Sequence, residues 1–255
     1  MIKNRFSPIE KLKIMGSASE FTMGPEIDVL IWNVFKCKKK GWQEDFISLC
    51  RDKDLILLQE AIANSPLDTH FKKSTKYQWI MARSFRDLRT NLETGIKTGS
   101  TVAAQTKMIM ASLHSEPFSK TKKMLLSTIY PLSGRQDSLL VINAHIINFV
   151  SFIKFKAHLD SISVVLEQHN GPVLLAGDFN TWNRKRLKYF NALALSFSLT
   201  EVGLTRKPKM IHLFQHLDHI YCKGFDIVDA KVLTNIRSSD HHPLHLTLQL
   251  NPAHC

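Results

Sequence analysis

The chain has 255 residues, of which 44% are apolar and 22% charged, and 34 basic residues against 22 acidic ones give a formal charge of +12. This is the composition of a soluble globular protein, and no run approaches the ~18 consecutive apolar residues of a membrane-spanning helix. The charge favours anionic partners (nucleic acid, phospholipid headgroups or phosphorylated small molecules), although a basic surface that serves only solubility has the same composition.

Residues 1–20 carry Lys3, Arg5, Lys11 and Lys13 but no continuous apolar stretch. They do not read as a secretory signal, and residues 1–25 are expected to form a loosely ordered arm before one domain over 26–255. The four cysteines (Cys37, Cys50, Cys222, Cys255) are far apart and form no C-x-x-C pair. Reduced thiols in a cytoplasmic protein are expected, not a zinc site.

Residues 27–33 (IDVLIWN) predict a strand ending in Asn33, followed by the basic segment 36–40. Residues 42–51 have helical spacing, with Trp42, Phe46 and Leu49 on one side. Residues 54–59 (DLILLQ) predict a second strand that ends in an acid, Glu60. A short surface helix over 66–75 and a strand over 77–82 follow. The alternating text of 95–114 predicts a hairpin or meander. Strands are expected over 124–130 and 139–148, the latter carrying His145. Ser151 caps a helix with Phe152, Phe155, Leu159, Ile162 and Leu166 in one apolar stripe. Asn170-Gly171-Pro172 is expected to stop it with a left-handed residue and a helix breaker. The run VLLAGDFNTW (173–182) is a buried strand that breaks off at Gly-Asp-x-Asn, a place where open α/β sheets put their ligands. A helix over 183–197 and strands over 217–222, 225–232 and 244–250 complete the chain.

Apolar strands thus end repeatedly in residues suited to phosphate or metal chemistry: Asn33, Glu60, His145, Asp178 with Asn180, Asp218, and Asp240 with His241. Any one of these is commonly a cap or turn former; the recurrence is what carries weight. Carboxylates such as Glu60 and Asp240 suit Mg²⁺ or Mn²⁺ better than zinc. Arg184, Lys185, Arg186 and Lys188 open a helix whose dipole disfavours cations there, which makes sense beside a polyanion. Lys36 is read in the same way, and Arg237, three residues before Asp240, could reach a phosphate, although loop arginines usually do not. Trp182 either packs or stacks on a base, and Lys120, Lys122 and Lys123 read as a solvated turn.

The order N…QE…H…GDFN…LDHI…SDH resembles the endonuclease/exonuclease/phosphatase superfamily over about residues 26–250. The stretches IWNVFK, LLQEA, VINAHIINF, GPVLLAGDFNTW, LDHIYCKG and RSSDHHPL resemble its bacterial YafD-like branch. The resemblance implies a DNase I-like α+β fold, a four-layer αββα sandwich of two mostly antiparallel sheets with a cleft at one edge. It also implies a phosphoesterase dependent on Mg²⁺ or Mn²⁺. Glu60 would be the principal metal ligand, helped by Asn33 and Asp240. Asp178 would position or deprotonate water, Asn180 would hold that water or a phosphate oxygen, and Asp218 would orient His241 on the scissile phosphate. His145 would stabilise the phosphate or serve near the leaving group. The charge favours a nuclease; a lipid-headgroup phosphodiesterase, a small-molecule phosphatase and a non-catalytic polyanion binder are the alternatives.

Overall fold

Strands dominate this computed structural model, which describes residues 3–5, 11–63, 68–205 and 217–252. They run, in chain order, as β1 (Lys3–Arg5), β2 (Leu12–Met15), β3 (Glu26–Asn33), β4 (Leu55–Ala63), β5 (Gln78–Asp87), β6 (Glu93–Ser100), β7 (Thr106–Ala111), β8 (Met124–Pro131), β9 (Ser138–His145), β10 (Val173–Asp178), β11 (Thr200–Glu201), β12 (Asp218–Lys223), β13 (Phe225–Val232) and β14 (Leu244–Leu250). The helices are α1 (Trp42–Cys50), α2 (Asp68–Lys72), α3 (Phe152–Asp160), α4 (Ser163–Leu166) and α5 (Arg184–Ser196).

One sheet has the order β1-β5-β6-β4-β3-β14-β13, with β2 also paired to β5, and the other has the order β11-β12-β10-β9-β8-β7. The pairs β3/β4 and β9/β10 are parallel and their neighbours are antiparallel. Successive side chains of a strand face opposite ways, and the sequence uses both faces. Ile27, Val29 and Ile31 of β3, Leu55 and Leu57 of β4, Leu139 and Val141 of β9, and Leu174 and Ala176 of β10 fill one core between the sheets. The alternate residues Leu30, Trp32, Ile56 and Leu58 pack under Trp42 and Phe46 of α1. On the far side Leu140, Ile142, Val173 and Leu175 pack under α3, α4 and α5. Four αββα layers result, the architecture expected from the sequence.

Four local expectations need correction. The supposed loose arm is partly sheet: β2 pairs with β5 from Leu12↔Ala82 to Met15↔Trp79, and Met23 is buried in the central core. Its apolar residues find partners that its Ser and Gly content conceals. Residues 95–114 form no hairpin, because β6 belongs to one sheet and β7 to the other; Val102 and Ala104, between them, are drawn into the core. The helix after Ser151 breaks into α3 and α4, Ser151 makes no side-chain cap bond, and neither Asn170 nor Gly171 is left-handed. Finally, β4 does not end at Glu60. It continues to Ala63 through a bulge between Leu58 and Ala61, with Glu60 at φ 51°.

Cys37, Cys50 and Cys222 are free thiols, and Cys255, His212 and His216 lie outside the described residues. No helix among the described residues is long and apolar enough to cross a membrane.

Candidate active site

The strand alternation that builds the core also builds the site. Residues 27, 29 and 31 of β3 point between the sheets, and the next residue in that series is Asn33. By the same parity His145 follows Val141 and Asn143 in β9, Asp178 follows Leu174 and Ala176 in β10, and Asp218 precedes Ile220 and Cys222 in β12. Register completes the arrangement: Asp178 lies opposite His145 on one side and Asp218 on the other. Gly177 permits this approach, because a Cβ there would stand 2.0 Å from the Ala144 carbonyl oxygen. Beneath the site Gln59 donates to Asn143 at 2.8 Å, and Asn143 donates to Lys97 O and Thr98 Oγ1, tying the two sheets together.

Asp178 is the hub. Its Oδ2 accepts from Asn33 Nδ2 at 3.0 Å, its Oδ1 accepts from the Asn180 backbone N–H at 3.1 Å, and His145 Nε2 and His241 Nε2 stand 3.5 and 3.9 Å from Oδ2. Burial raises the Asp178 carboxyl to about 7, against the pull of His241. His241 Nδ1 is 2.6 Å from Asp218 Oδ2. Burial alone would lower this imidazole, but Asp218 and Asp178 outweigh it and raise it to about 10. His145 is the opposite case: burial, with Lys123 and His241 nearby, holds it well below its usual range, so it is a neutral imidazole. Asn180 is left-handed at φ 51° and spends its side-chain N–H on Ile146 O at 2.9 Å.

Glu60 is aimed by its bulge, which Lys97 Nζ braces on Ile62 O at 3.0 Å. Its two oxygens face Lys123 at 3.4 Å and Lys36 at 3.6 Å. Burial would raise Glu60, but these two ammonium groups lower it below the usual carboxylate range. Lys123 also stands 3.7 Å from Glu116. It is thus no part of a solvated turn, and the sequence reading missed both it and Glu116, which are far from Glu60 along the chain.

The three residues read as metal ligands each make contacts of their own. Glu60 holds its lysines; Asn33 donates to Asp178 and accepts from Phe35 N; Asp240 is exposed, its Oδ1 3.3 Å from Ser239 Oγ. Among the described residues, the group with ligand atoms all within 4.8 Å of one another is Asp178, Asp218 and His241. Asp218 Oδ1 is buried without a hydrogen-bond partner. The unused oxygen of Asp218 and the carboxylate of Glu60 are hard donors of the kind a divalent ion takes; His241, held protonated by Asp218, is not a ligand.

Of the basic residues, Arg184, Lys185 and Arg237 are exposed and Lys36 lies on Glu60. Arg186 does not face a substrate. It is 1% exposed and donates to Asn180 O at 3.0 Å and Val150 O at 2.7 Å, so its charge serves backbone carbonyls that the fold leaves unpaired. Asn183 caps α5 by accepting from Arg186 N at 2.9 Å. Beside Asp218 a chain of contacts runs from the interior to the exposed Glu201: Thr181 Oγ1 lies 2.6 Å from His219 Nε2, and His219 Nδ1 lies 2.8 Å from Glu201.

His158 accepts from Ile147 N at 3.1 Å, fixing the segment that follows His145. Burial, with Lys123 nearby, lowers it to about 3 from 6.5. A histidine depressed by folding contributes stability in full above pH 6.5 and loses it progressively as pH falls toward 3, because the unfolded chain takes up a proton that the folded one refuses. From pH 7.5 to 5.0 the wild type is expected to lose about 2 kcal/mol more than His158→Gln by urea denaturation. Equal losses in the two proteins would contradict this.

Comparisons with known proteins bear on the family and the fold. The model of the Endonuclease/Exonuclease/phosphatase family matches residues 30–241. A UPF0294 protein of Vibrio parahaemolyticus is 31% identical over 232 residues, covering 89% of this chain and 79% of that relative. One from Yersinia pseudotuberculosis is 33% identical over 224 residues, covering 87% and 83%. Among solved structures, an endonuclease/exonuclease/phosphatase from Beutenbergia cavernae aligns with a TM-score of 0.65 at 16% identity, covering 89% of this chain and 72% of that one. The human Nocturnin catalytic domain with bound sulfate aligns at 0.61 and 17% identity, covering 96% and 99%. With its two-sheet sandwich and its carboxylates and histidines gathered where the strands end, this chain belongs to the Endonuclease/Exonuclease/phosphatase family.

Proposed function

We propose that the protein is a phosphodiesterase that hydrolyses nucleic-acid backbone with an activated water and requires Mg²⁺ or Mn²⁺. The observation that carries this reading is the buried Asp178–His241–Asp218 group. A phosphodiester resists attack because its own negative oxygens repel the nucleophile. Hydrolysis needs a base for water and positive charge on those oxygens. Asp178, raised to about 7, is matched to accepting a proton from water at neutral pH. His241, held cationic by Asp218, supplies an N–H donor to the phosphate. Neutral His145 donates or accepts a hydrogen bond beside them, and Asn33 holds the Asp178 carboxylate in place.

A divalent ion would be held by Glu60, a hard donor whose lysines an arriving cation can replace, which leaves Asp178 free to take the proton from water. Bound there, it would supply Lewis-acid charge to the phosphoryl oxygens. The net charge of +12 and the exposed Arg184, Lys185 and Arg237 favour a phosphate polymer as substrate.

The test is hydrolysis of bis(4-nitrophenyl) phosphate and of a fluorescent oligonucleotide, first in chelator and then with added Mg²⁺ or Mn²⁺. Metal-dependent turnover of both is expected. Turnover that persists in chelator, or no turnover of either substrate with metal, would rule the reading out.

A further inference from the structure

We propose that Trp182, Phe149 and Phe118 form a stacking rim for unpaired bases, so that the substrate class of this cleft is single-stranded nucleic acid. The proposal rests on the hydrolase reading above and narrows it. The three rings are 54%, 61% and 85% exposed. Exposed aromatics usually swing freely, but these are anchored. Asn148 Oδ1 accepts from Trp182 Nε1 at 3.0 Å and from Phe149 N at 2.8 Å, so one oxygen holds both residues. Phe149 is held at φ 53°, a left-handed conformation that a phenylalanine adopts only where its surroundings enforce it. Phe118 meets Phe149 edge to face, with centroids 5.8 Å apart and planes at 75°.

The anchor leads back to the site. Asn148 N donates to Glu116 Oε1 at 3.0 Å, and Lys123 connects Glu116 to Glu60. Trp182 is four residues beyond Asp178, and Asn148 is three beyond His145, its cross-strand partner. The rim is thus tied to the segments that carry the site. The buried Arg186 guanidinium lies over the Trp182 ring, 4.7 Å from its centroid, which backs one face and leaves the other for a ligand.

A flat, rigid, one-sided aromatic surface suits a flat ligand. Lysines and arginines interleave with the rings: Lys120 after Phe118, and Arg184 and Lys185 after Trp182, all exposed. Alternating rings and cations match the alternating bases and phosphates of a strand. In a duplex both faces of each base are already stacked, so only unpaired bases can use the rim. Insertion into a bilayer, by contrast, is best served by free apolar tips, not by a ring locked at its N–H and covered on one face.

The experiment measures binding by fluorescence anisotropy in chelator, where no turnover occurs. It compares a twelve-nucleotide oligothymidylate with an abasic strand of equal length and charge. The wild type is expected to prefer the base-bearing strand. Trp182→Ala is expected to bind oligothymidylate roughly 5- to 100-fold more weakly, the worth of one base–aromatic stack, and to lose much less affinity for the abasic strand. Trp182→Phe, which keeps a ring, should retain most of the preference, and Phe149→Ala should reduce it, so the result does not depend on one variant folding. Equal wild-type affinity for the two strands would overturn the proposal. So would an undiminished preference in both Trp182→Ala and Phe149→Ala. Binding to vesicles of phosphatidylcholine and phosphatidylglycerol that Phe118→Ser and Phe149→Ser abolish while base preference persists would assign the rim to a membrane instead. Turnover of bis(4-nitrophenyl) phosphate tests the hydrolase reading separately, so the two ideas fail on different measurements.

Discussion

Asp178→Asn is expected to lower kcat on a phosphodiester by roughly 10²- to 10⁴-fold, the usual worth of a positioned general base, with a much smaller change in KM. The substitution keeps size and shape but removes the proton acceptor. It also places an amide where Asn33 Nδ2 now donates at 3.0 Å and where the Asn180 backbone N–H donates at 3.1 Å, so a donor can be turned against a donor. His241→Ala removes the cation oriented by Asp218 at 2.6 Å and is expected to cost a similar amount. Since the proposed reaction has these groups act on one proton and one phosphate, the double variant should lose little more than the worse single one. Steady-state kinetics on bis(4-nitrophenyl) phosphate decide the matter. A variant within tenfold of the wild type would remove Asp178 from the chemistry.

Arg186→Ala is expected to destabilise the fold by about 2–6 kcal/mol, at about 1–3 kcal/mol for each of the two buried carbonyls left without a donor. Its guanidinium is buried, donates to the carbonyls of Asn180 and Val150, and lies between the rings of Phe155 and Trp182 at 4.5 and 4.7 Å from their centroids. Burial lowers it to about 10, which still leaves it charged at neutral pH. Truncation strands two carbonyls and undercuts the loop that holds Asn180. Denaturant unfolding should show the loss directly. Lys185→Ala, exposed on the same helix, should leave stability nearly unchanged and flatten the salt dependence of polyanion binding. The opposite pattern, an unchanged midpoint in Arg186→Ala with weakened polyanion binding, would return Arg186 to the substrate surface.

The contrast between Arg186 and Lys185 shows where a sequence stops being informative. Both lie in the run Arg184-Lys185-Arg186, and as text they are the same signal: cations at the start of a helix. Helical geometry turns one outward and the other into the layer below, and what waits in that layer is decided by segments up to 36 residues away. The same holds for Lys123. It reads as a third lysine in a polar turn, yet it is the partner of Glu60, 63 positions earlier.

The sequence by itself determined most of the central strands, because apolar runs and two-residue alternation are local properties of the chain. It also determined which strand ends carry Asn33, His145, Asp178 and Asp218, since the alternation that sends Val29, Val141, Ala176 and Ile220 into the core sends these four into the space beyond it. Tertiary structure alone decided which of them meet. The 3.0 Å contact of Asn33 with Asp178 spans 145 residues, and it exists only because two sheets pack face to face. It also decided that Glu60 sits on a bulge, that β6 and β7 part company, and that three aromatic rings stay exposed around Asn148. Those outcomes depend on pairing energies between distant segments, which no local pattern encodes.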